Sequence, residues 1–475
     1  MLFNSFEFLV FFPIVTALYF AVPLRLRWVL LLVASSTFYM AFIPRYILII
    51  YATIIVDYFA GLVIERSEGR RRRFALIASL VANIGALAVF KYCNFFIDNA
   101  NAFGRALDLP VTMARWDIIL PIGLSFHTFQ AMSYTIEVYR GNVRAERNFA
   151  VYALYVLFYP QLVAGPIERP QNIIHQLRER HRFDPVRATE GLRLMLWGFF
   201  KKVVVADRLA HVVDVVYANP DSWPGPVLVL ATVAFAFQIY ADFSGYSDIA
   251  IGAARIMGID LMTNFRQPYL ARSVSEFWSR WHISLSSWFR DYLYFPLGGN
   301  RVCAWRHRFN LMATFVVSGL WHGANWTFVC WGALNGAYLI MERAMGAERG
   351  KSLARLLVTF GLISFSWIFF RASSIDEAFR VISGLCRDAS AVLHPAGILR
   401  ALDRADLDWY KLVVAAGGVL VILLVDQRAN RAGADIAVLL GRLRALPRWG
   451  LYYGAGAAIA LLGWYGEQQF IYFQF

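Results

Sequence analysis

Phe315-Val-Val-Ser-Gly-Leu-Trp-His-Gly-Ala-Asn-Trp-Thr-Phe-Val-Cys-Trp-Gly332 is apolar enough to sit in a membrane, yet it carries an imidazole, His322, in its middle. An ionisable side chain at bilayer depth is costly and marks a functional site by default. Upstream lies a second unusual histidine, His282, in Phe277-Trp-Ser-Arg-Trp-His-Ile-Ser-Leu-Ser286. Two histidines in aromatic, apolar surroundings point to an enzyme rather than a passive membrane protein.

The rest of the chain agrees with a membrane setting. Of its 475 residues 59% are hydrophobic and only 16% are charged, against about 45–50% apolar in soluble domains. Apolar runs reach the roughly 20 residues that a helical span needs. They lack strict alternation, so helices are predicted rather than a barrel. The net charge of +14 is read as loop Lys and Arg that set topology and meet anionic headgroups. The basic residues form no recognition stripe, so nucleic acid is not expected as a partner. Cys93, Cys303, Cys330 and Cys386 form no C-x-x-C pair, which leaves no redox or zinc motif. The segment 6–22 has no basic n-region or small-residue cleavage site and is read as a retained span.

The predicted architecture is all-α and polytopic, with about 11 transmembrane helices. Candidate spans are 5–22, 28–43, 46–64, 74–91, 117–138, 148–164, 189–206, 226–243, 309–341, 353–371, 411–426 and 450–465. The segment 309–341 could hold one tilted helix or two short ones. Arg25 and Arg27, the run Arg70-Arg-Arg-Arg73, and Arg140, Arg144 and Arg147 are placed on the cytoplasmic side by the positive-inside rule, with the N-terminus outside. Arg169, Arg178, Arg180, Arg182 and Arg187 break the alternation. Pro160, Gly165 and Pro166 interrupt the run before them, so 148–164 is read as re-entrant. No internal repeat is visible. A single membrane domain, 1–475, is the simplest division, with 372–408 as an extramembrane loop broken at Pro395-Ala-Gly397.

Four constellations could carry chemistry. Gly319 and Gly323, like Gly332 and Gly336, have small-xxx-small spacing, which brings helix backbones close and sets His322 on an internal surface. Ser318 and Asn325 stand at i−4 and i+3 from it, and Trp321 is its neighbour. Around His282, helical spacing groups Ser275, Trp278, His282, Leu285 and Phe289 on one face, and Phe277, Trp281 and Trp288 on another. Glu276 and Arg280 form an i,i+4 pair. Such a mixture suits a helix lining a wet cavity or lying at the interface. In Gln238-Ile-Tyr-Ala-Asp-Phe-Ser-Gly-Tyr-Ser-Asp248, the residues Gln238, Tyr240, Asp242 and Ser244 are candidates for a substrate path, and Gly245 for a helix break. Asp248 is read as lining the cavity or as the N-cap of a following helix, 249–257. His127, in Pro121-Ile-Gly-Leu-Ser-Phe-His-Thr-Phe-Gln130, is structural or cavity-lining.

No H-E-x-x-H, P-loop or G-x-S-x-G occurs, so neither a metal site nor a nucleophile elbow is expected. What remains is a buried histidine acting as general base on a hydroxyl, the minimum that acyl transfer requires.

At these residues the chain resembles the membrane-bound O-acyltransferase (MBOAT) family, and most of all its bacterial alginate acetyltransferase (AlgI-like) branch. The resemblance is carried, in order, by Pro121–His127, Gln161-Leu-Val-Ala-Gly-Pro-Ile-Glu168, Asp242–Asp248, Phe277–His282, Tyr294-Phe-Pro-Leu-Gly-Gly-Asn300 and Ser318–Gly323. The opening Met1-Leu-Phe-Asn-Ser and the closing Phe470-Ile-Tyr-Phe-Gln-Phe475 match as well. The resemblance implies that His322 is the central catalytic histidine and His282 the second signature histidine. It implies a multi-helix core around a central tunnel in the bacterial cytoplasmic (inner) membrane. It implies acetyl-CoA as donor substrate, no permanently bound cofactor, and transfer to a periplasmic acetyltransferase partner or to an exported polysaccharide such as alginate or cellulose. Two other readings stay open: a D-alanyl transferase fed by a carrier protein, and a proton-coupled transporter with His322 and Asp242 as relay.

Overall fold

A computed structural model describes the chain except for residues 111, 347–351, 394–395, 397–401, 403–408, 466–469 and 472–475. Among the described residues all regular secondary structure is helical. Among the described residues, five helices are long and apolar enough to cross a membrane: Pro44–Arg66, Gly69–Ala106, Gly225–Ile256, Leu353–Arg371 and Trp409–Ala432. Phe6–Ala21 is a shorter apolar helix, started by Ser5, whose side chain accepts the Phe8 N–H. Large apolar side chains stand exposed on these helices, among them Leu9, Leu48, Phe59, Val81, Leu357 and Val413. Apolar surface on this scale needs a lipid partner.

The contacts group into two compact units, Met1–Gly191 with Ala253–Met262, and Leu192–Gly252 with Thr263–Phe475. In the first, Asp57 is fully buried on the Pro44–Arg66 helix. Ser79 donates to its Oδ1 at 2.6 Å and Asn83 to both carboxylate oxygens at 2.9 Å, so this intramembrane carboxylate is satisfied by its neighbours. The segment 148–164 does not form one span. Asn148 caps a nine-residue helix, Phe149–Leu157, about 14 Å long at 1.5 Å per residue, less than half the hydrocarbon thickness. A short turn of helix, Tyr159–Leu162, follows. Both pieces are almost wholly buried, as irregular backbone at membrane depth must be.

In the second unit the segment 309–341 resolves into two helices, Ala304–His322 and Trp326–Ala344. A Cβ on Gly319 would come within 2.2 Å of the Phe328 carbonyl oxygen, one on Gly332 within 2.3 Å of the Phe315 carbonyl oxygen, and one on Gly336 within 3.1 Å of the Met312 sulfur. These pairs run in opposite directions along the chain. The helices are therefore an antiparallel hairpin whose close approach depends on glycine.

Two local expectations fail here. Gly245 does not break its helix, because Gly225–Ile256 is continuous over 32 residues. Gly245 instead admits the Gly198 backbone: a Cβ at 245 would lie 2.8 Å from the Gly198 carbonyl oxygen, and one at 198 would lie 2.6 Å from that of Gly245. Asp248 is accordingly mid-helix and caps nothing. Within 372–408 the described residues include the helix Ile375–Gly384, capped by Ser374, while Pro395 and Gly397 lie outside the described residues.

Candidate active site

The Phe277–Ser286 stretch is not the single helix that its spacing suggests. Val274–Arg280 ends, and Ile283–Phe289 begins, around His282, which takes the left-handed conformation at φ 43°, ψ 55°. A non-glycine residue there costs about 1–3 kcal/mol and persists only where its surroundings hold it. Asn264 does the holding. Its backbone carbonyl accepts the Ile283 N–H at 2.9 Å. Its side-chain Oδ1 accepts the Ser284 N–H at 3.4 Å and the Ser284 hydroxyl at 3.0 Å, and its Nδ2 donates to Ser247 at 3.2 Å.

The same Oδ1 lies 3.0 Å from His282 Nδ1. The Ser284 N–H can only donate, so the Asn264 amide is fixed with its oxygen towards this cluster. Nδ1 of His282 must then carry the proton, and the basic lone pair is left on Nε2. The imidazole is buried and meets the Phe243 ring edge-on at 4.6 Å.

His322 is the last residue of its helix. It is buried in an aromatic box with ring centroids of Trp321 at 4.9 Å, Trp331 at 5.1 Å and Phe370 at 5.2 Å. Gly323 follows in an extended conformation, and a Cβ on it would overlap the Phe328 ring at 2.0 Å. Trp321 also faces His282, at 6.3 Å, so one indole sits against both imidazoles. Both histidines line a single cavity of about 350 Å³ together with Ser318, Trp281 and Ser275, and with Arg290 and Arg343 in its wall. Ser275, Trp278, His282, Leu285 and Phe289, grouped by helical spacing, all line it, but two helices present them in place of one.

The other sequence candidates go elsewhere. Asn325 is not on the His322 face, because the helix has already ended. It caps Trp326–Ala344 by accepting the Thr327 N–H at 3.1 Å and donates to the Ser373 carbonyl at 2.8 Å. Arg280 pairs with Glu276 at 2.6 Å and donates to Asn430 at 3.0 Å. His127, in the first unit, is buried with Nε2 3.1 Å from the Thr53 hydroxyl, a partner that suits a structural role.

The Gln238–Asp248 stretch belongs to a buried charge cluster rather than to the cavity lining. Lys202 bridges Asp242 and Asp207, each at 2.8 Å. Lys201 pairs with Asp248 at 2.6 Å and donates to Ser244 at 2.9 Å. Tyr240 donates to Asp426 at 2.8 Å, and Gln238 is buried nearby on the same helix. Sequence reasoning missed Lys201, Lys202 and Asn264. The adjacent lysines in the apolar run before Val203 carried the same signal as His322, two ionisable residues at membrane depth. A lone loop asparagine carried none.

Comparison with known proteins matches the sequence to a family. Residues 140–352 fit the model described as MBOAT, membrane-bound O-acyltransferase family, a range that holds both histidines. The chain is 40% identical to the "Probable alginate O-acetylase AlgI" of Azotobacter vinelandii, over 81% of this chain and 78% of that one. It is 34% identical to the "Peptidoglycan O-acetyltransferase" of Helicobacter pylori, over 75% and 73%. A more distant similarity, 27% over 56% and 69%, links it to the "Teichoic acid D-alanyltransferase" of Streptococcus thermophilus. With this likeness extending over most of the sequence, the chain is a multi-pass membrane enzyme that belongs to the membrane-bound O-acyltransferase family, in its AlgI-like branch.

Proposed function

We propose that this O-acyltransferase moves acetyl groups from acetyl-CoA, on the cytoplasmic side of a bacterial inner membrane, to an exported polysaccharide such as alginate or cellulose through a periplasmic acetyltransferase partner. The observation that carries the reading is the pair of imidazoles lining one cavity, in a chain whose relatives bear the names of O-acetyl-transferring enzymes.

The chemistry follows from the site. An acceptor hydroxyl beside His322 gives its proton to the imidazole as its oxygen attacks the thioester carbonyl. The tetrahedral intermediate collapses with loss of the thiolate, which takes the proton back. His282, with its lone pair on Nε2, orients or polarises a reacting group rather than holding a second charge. The Trp321, Trp331 and Phe370 rings packed around His322 lower the local polarity at the imidazole, which strengthens its polar contacts.

The purified protein in proteoliposomes, given acetyl-CoA, should release CoA in step with acetyl transfer only when a periplasmic acceptor preparation is present. Rapid CoA release without acceptor would contradict the relay. Transfer of D-alanine from a carrier protein, with no use of acetyl-CoA, would replace this reading by the aminoacyl one.

A further inference from the structure

The first unit contains a second cavity, of about 290 Å³, lined by neither His282 nor His322. It opens where the helix Phe6–Ala21 ends and Leu24–Met40 begins. Arg25, Arg27, Arg178, Tyr19 and Trp28 line it, with one carboxylate, Glu179. Arg178 is also engaged by Glu146. The wall keeps a positive excess, since three guanidinium groups face these two carboxylates.

Arg27 is the built part of the site. Its guanidinium stacks 4.8 Å from the Tyr19 ring centroid, and Nη1 donates to the His181 carbonyl. These two contacts fix the plane of the fork. Its Nε is buried and has no hydrogen-bond partner among the described residues, a donor whose burial is unfavourable until an acceptor reaches it. Arg25 is exposed and has no ion-pair partner among the described residues. A planar, pre-oriented guanidinium with a second cation beside it is the arrangement that takes a phosphate.

The surroundings favour a phosphate on a lipid. Leu18, Leu24, Leu26 and Phe183 are 41–57% exposed. Tyr19 lies at the end of the apolar helix Phe6–Ala21, and Arg25, Arg27 and Trp28 open the next, Leu24–Met40, the aromatic and basic signature of the membrane–water boundary. A headgroup could enter the cavity while its acyl chains lie on those apolar side chains. We propose that this cavity binds the phosphate of an anionic phospholipid headgroup. A soluble phosphate ester would satisfy the arginines equally but would leave the apolar rim uncovered.

The test uses the full-length protein in phosphatidylcholine nanodiscs, with native mass spectrometry and thermal unfolding as readouts. The probes are phosphatidylglycerol and, separately, glycerol 3-phosphate, which lacks the chains. Phosphatidylglycerol should be retained in preference to phosphatidylcholine and should raise the melting temperature. Arg25→Gln with Arg27→Gln should weaken its retention about tenfold, the loss expected for charge-assisted hydrogen bonds. If the double variant does not fold, Arg25→Gln alone, at an exposed position, should still weaken retention several-fold. Equal retention of the two lipids, or retention unchanged in a folded variant, would overturn the site. Glycerol 3-phosphate binding as tightly as phosphatidylglycerol would overturn the lipid assignment.

Discussion

Asn264→Ala tests the mechanics of the site most sharply, because Asn264 is not among the cavity-lining residues and yet sets the state of one that is. The substitution removes the acceptor for His282 Nδ1 at 3.0 Å and for the Ser284 hydroxyl at 3.0 Å. A buried donor left without its acceptor costs about 1–3 kcal/mol, and the left-handed backbone at His282, which stores about 1–3 kcal/mol, then keeps only the backbone carbonyl at position 264 of its Asn264 contacts, through the Ile283 N–H. Freed from Asn264, the imidazole can rotate or carry its proton on Nε2, which then no longer offers a lone pair to orient a reacting group. If about 1–3 kcal/mol of that organisation is lost from the transition state, kcat should fall about 5- to 160-fold. KM should change little, since no contact in the cavity is removed. Asn264→Asp keeps an acceptor at the same place and should recover most of the rate. Acetyl-CoA turnover by matched amounts of purified protein, with thermal unfolding alongside, measures both. Full kcat in a folded Asn264→Ala protein would refute the reasoning. So would an Asn264→Asp enzyme as slow as Asn264→Ala.

Three further outcomes are expected. Gly319→Leu should lower the melting temperature in detergent and abolish turnover, because even its Cβ meets the Phe328 carbonyl oxygen at 2.2 Å; an unchanged melting curve would contradict the hairpin packing. Glu168 is buried, accepting the Met262 N–H and an Asn172 N–H, and burial pushes its carboxyl from 4.5 up to about 7. The folded state then binds the proton more tightly than the unfolded one, so stability should fall as pH rises from 4.5 towards 7, by at most about 1.4 kcal/mol per pH unit; thermal unfolding across that range should flatten in Glu168→Gln, and an identical slope in both proteins would dismiss the assignment. A cysteine replacing Glu68, exposed beside the Arg70–Arg73 run, should resist an impermeant thiol reagent in intact cells, and ready labelling would reverse the topology.

The histidine hairpin was legible because its signals are local. An imidazole in an apolar run and glycines four apart state their purpose within one or two turns, and the close contacts of Gly319, Gly332 and Gly336 are what that spacing implies. The break at His282 was not legible. Phe277–Ser286 holds no glycine or proline, and its apolar positions repeat with a helical period. The left-handed residue is imposed by Asn264, distant in sequence and silent as a motif. Gly245 misled for the opposite reason: glycine is compatible with a helix break, but here it serves close approach to Gly198. Counting i+3 from His322 to Asn325 failed because Gly323 ends the helix between them. The Lys201–Lys202 pair was passed over because basic residues were read as loop markers, and its carboxylate partners come from the Gly225–Ile256 helix and from Asp207.

The central claim is that His322 takes the acceptor proton. Its most direct test is the acetyl content of the polymer made by cells carrying His322→Ala in place of the native chain, with membrane protein levels matched. Loss of a general base costs about 10²–10⁴ in rate, so acetylation should drop below detection while the protein still inserts and accumulates. Near-normal acetylation by a well-accumulated His322→Ala protein would contradict the account.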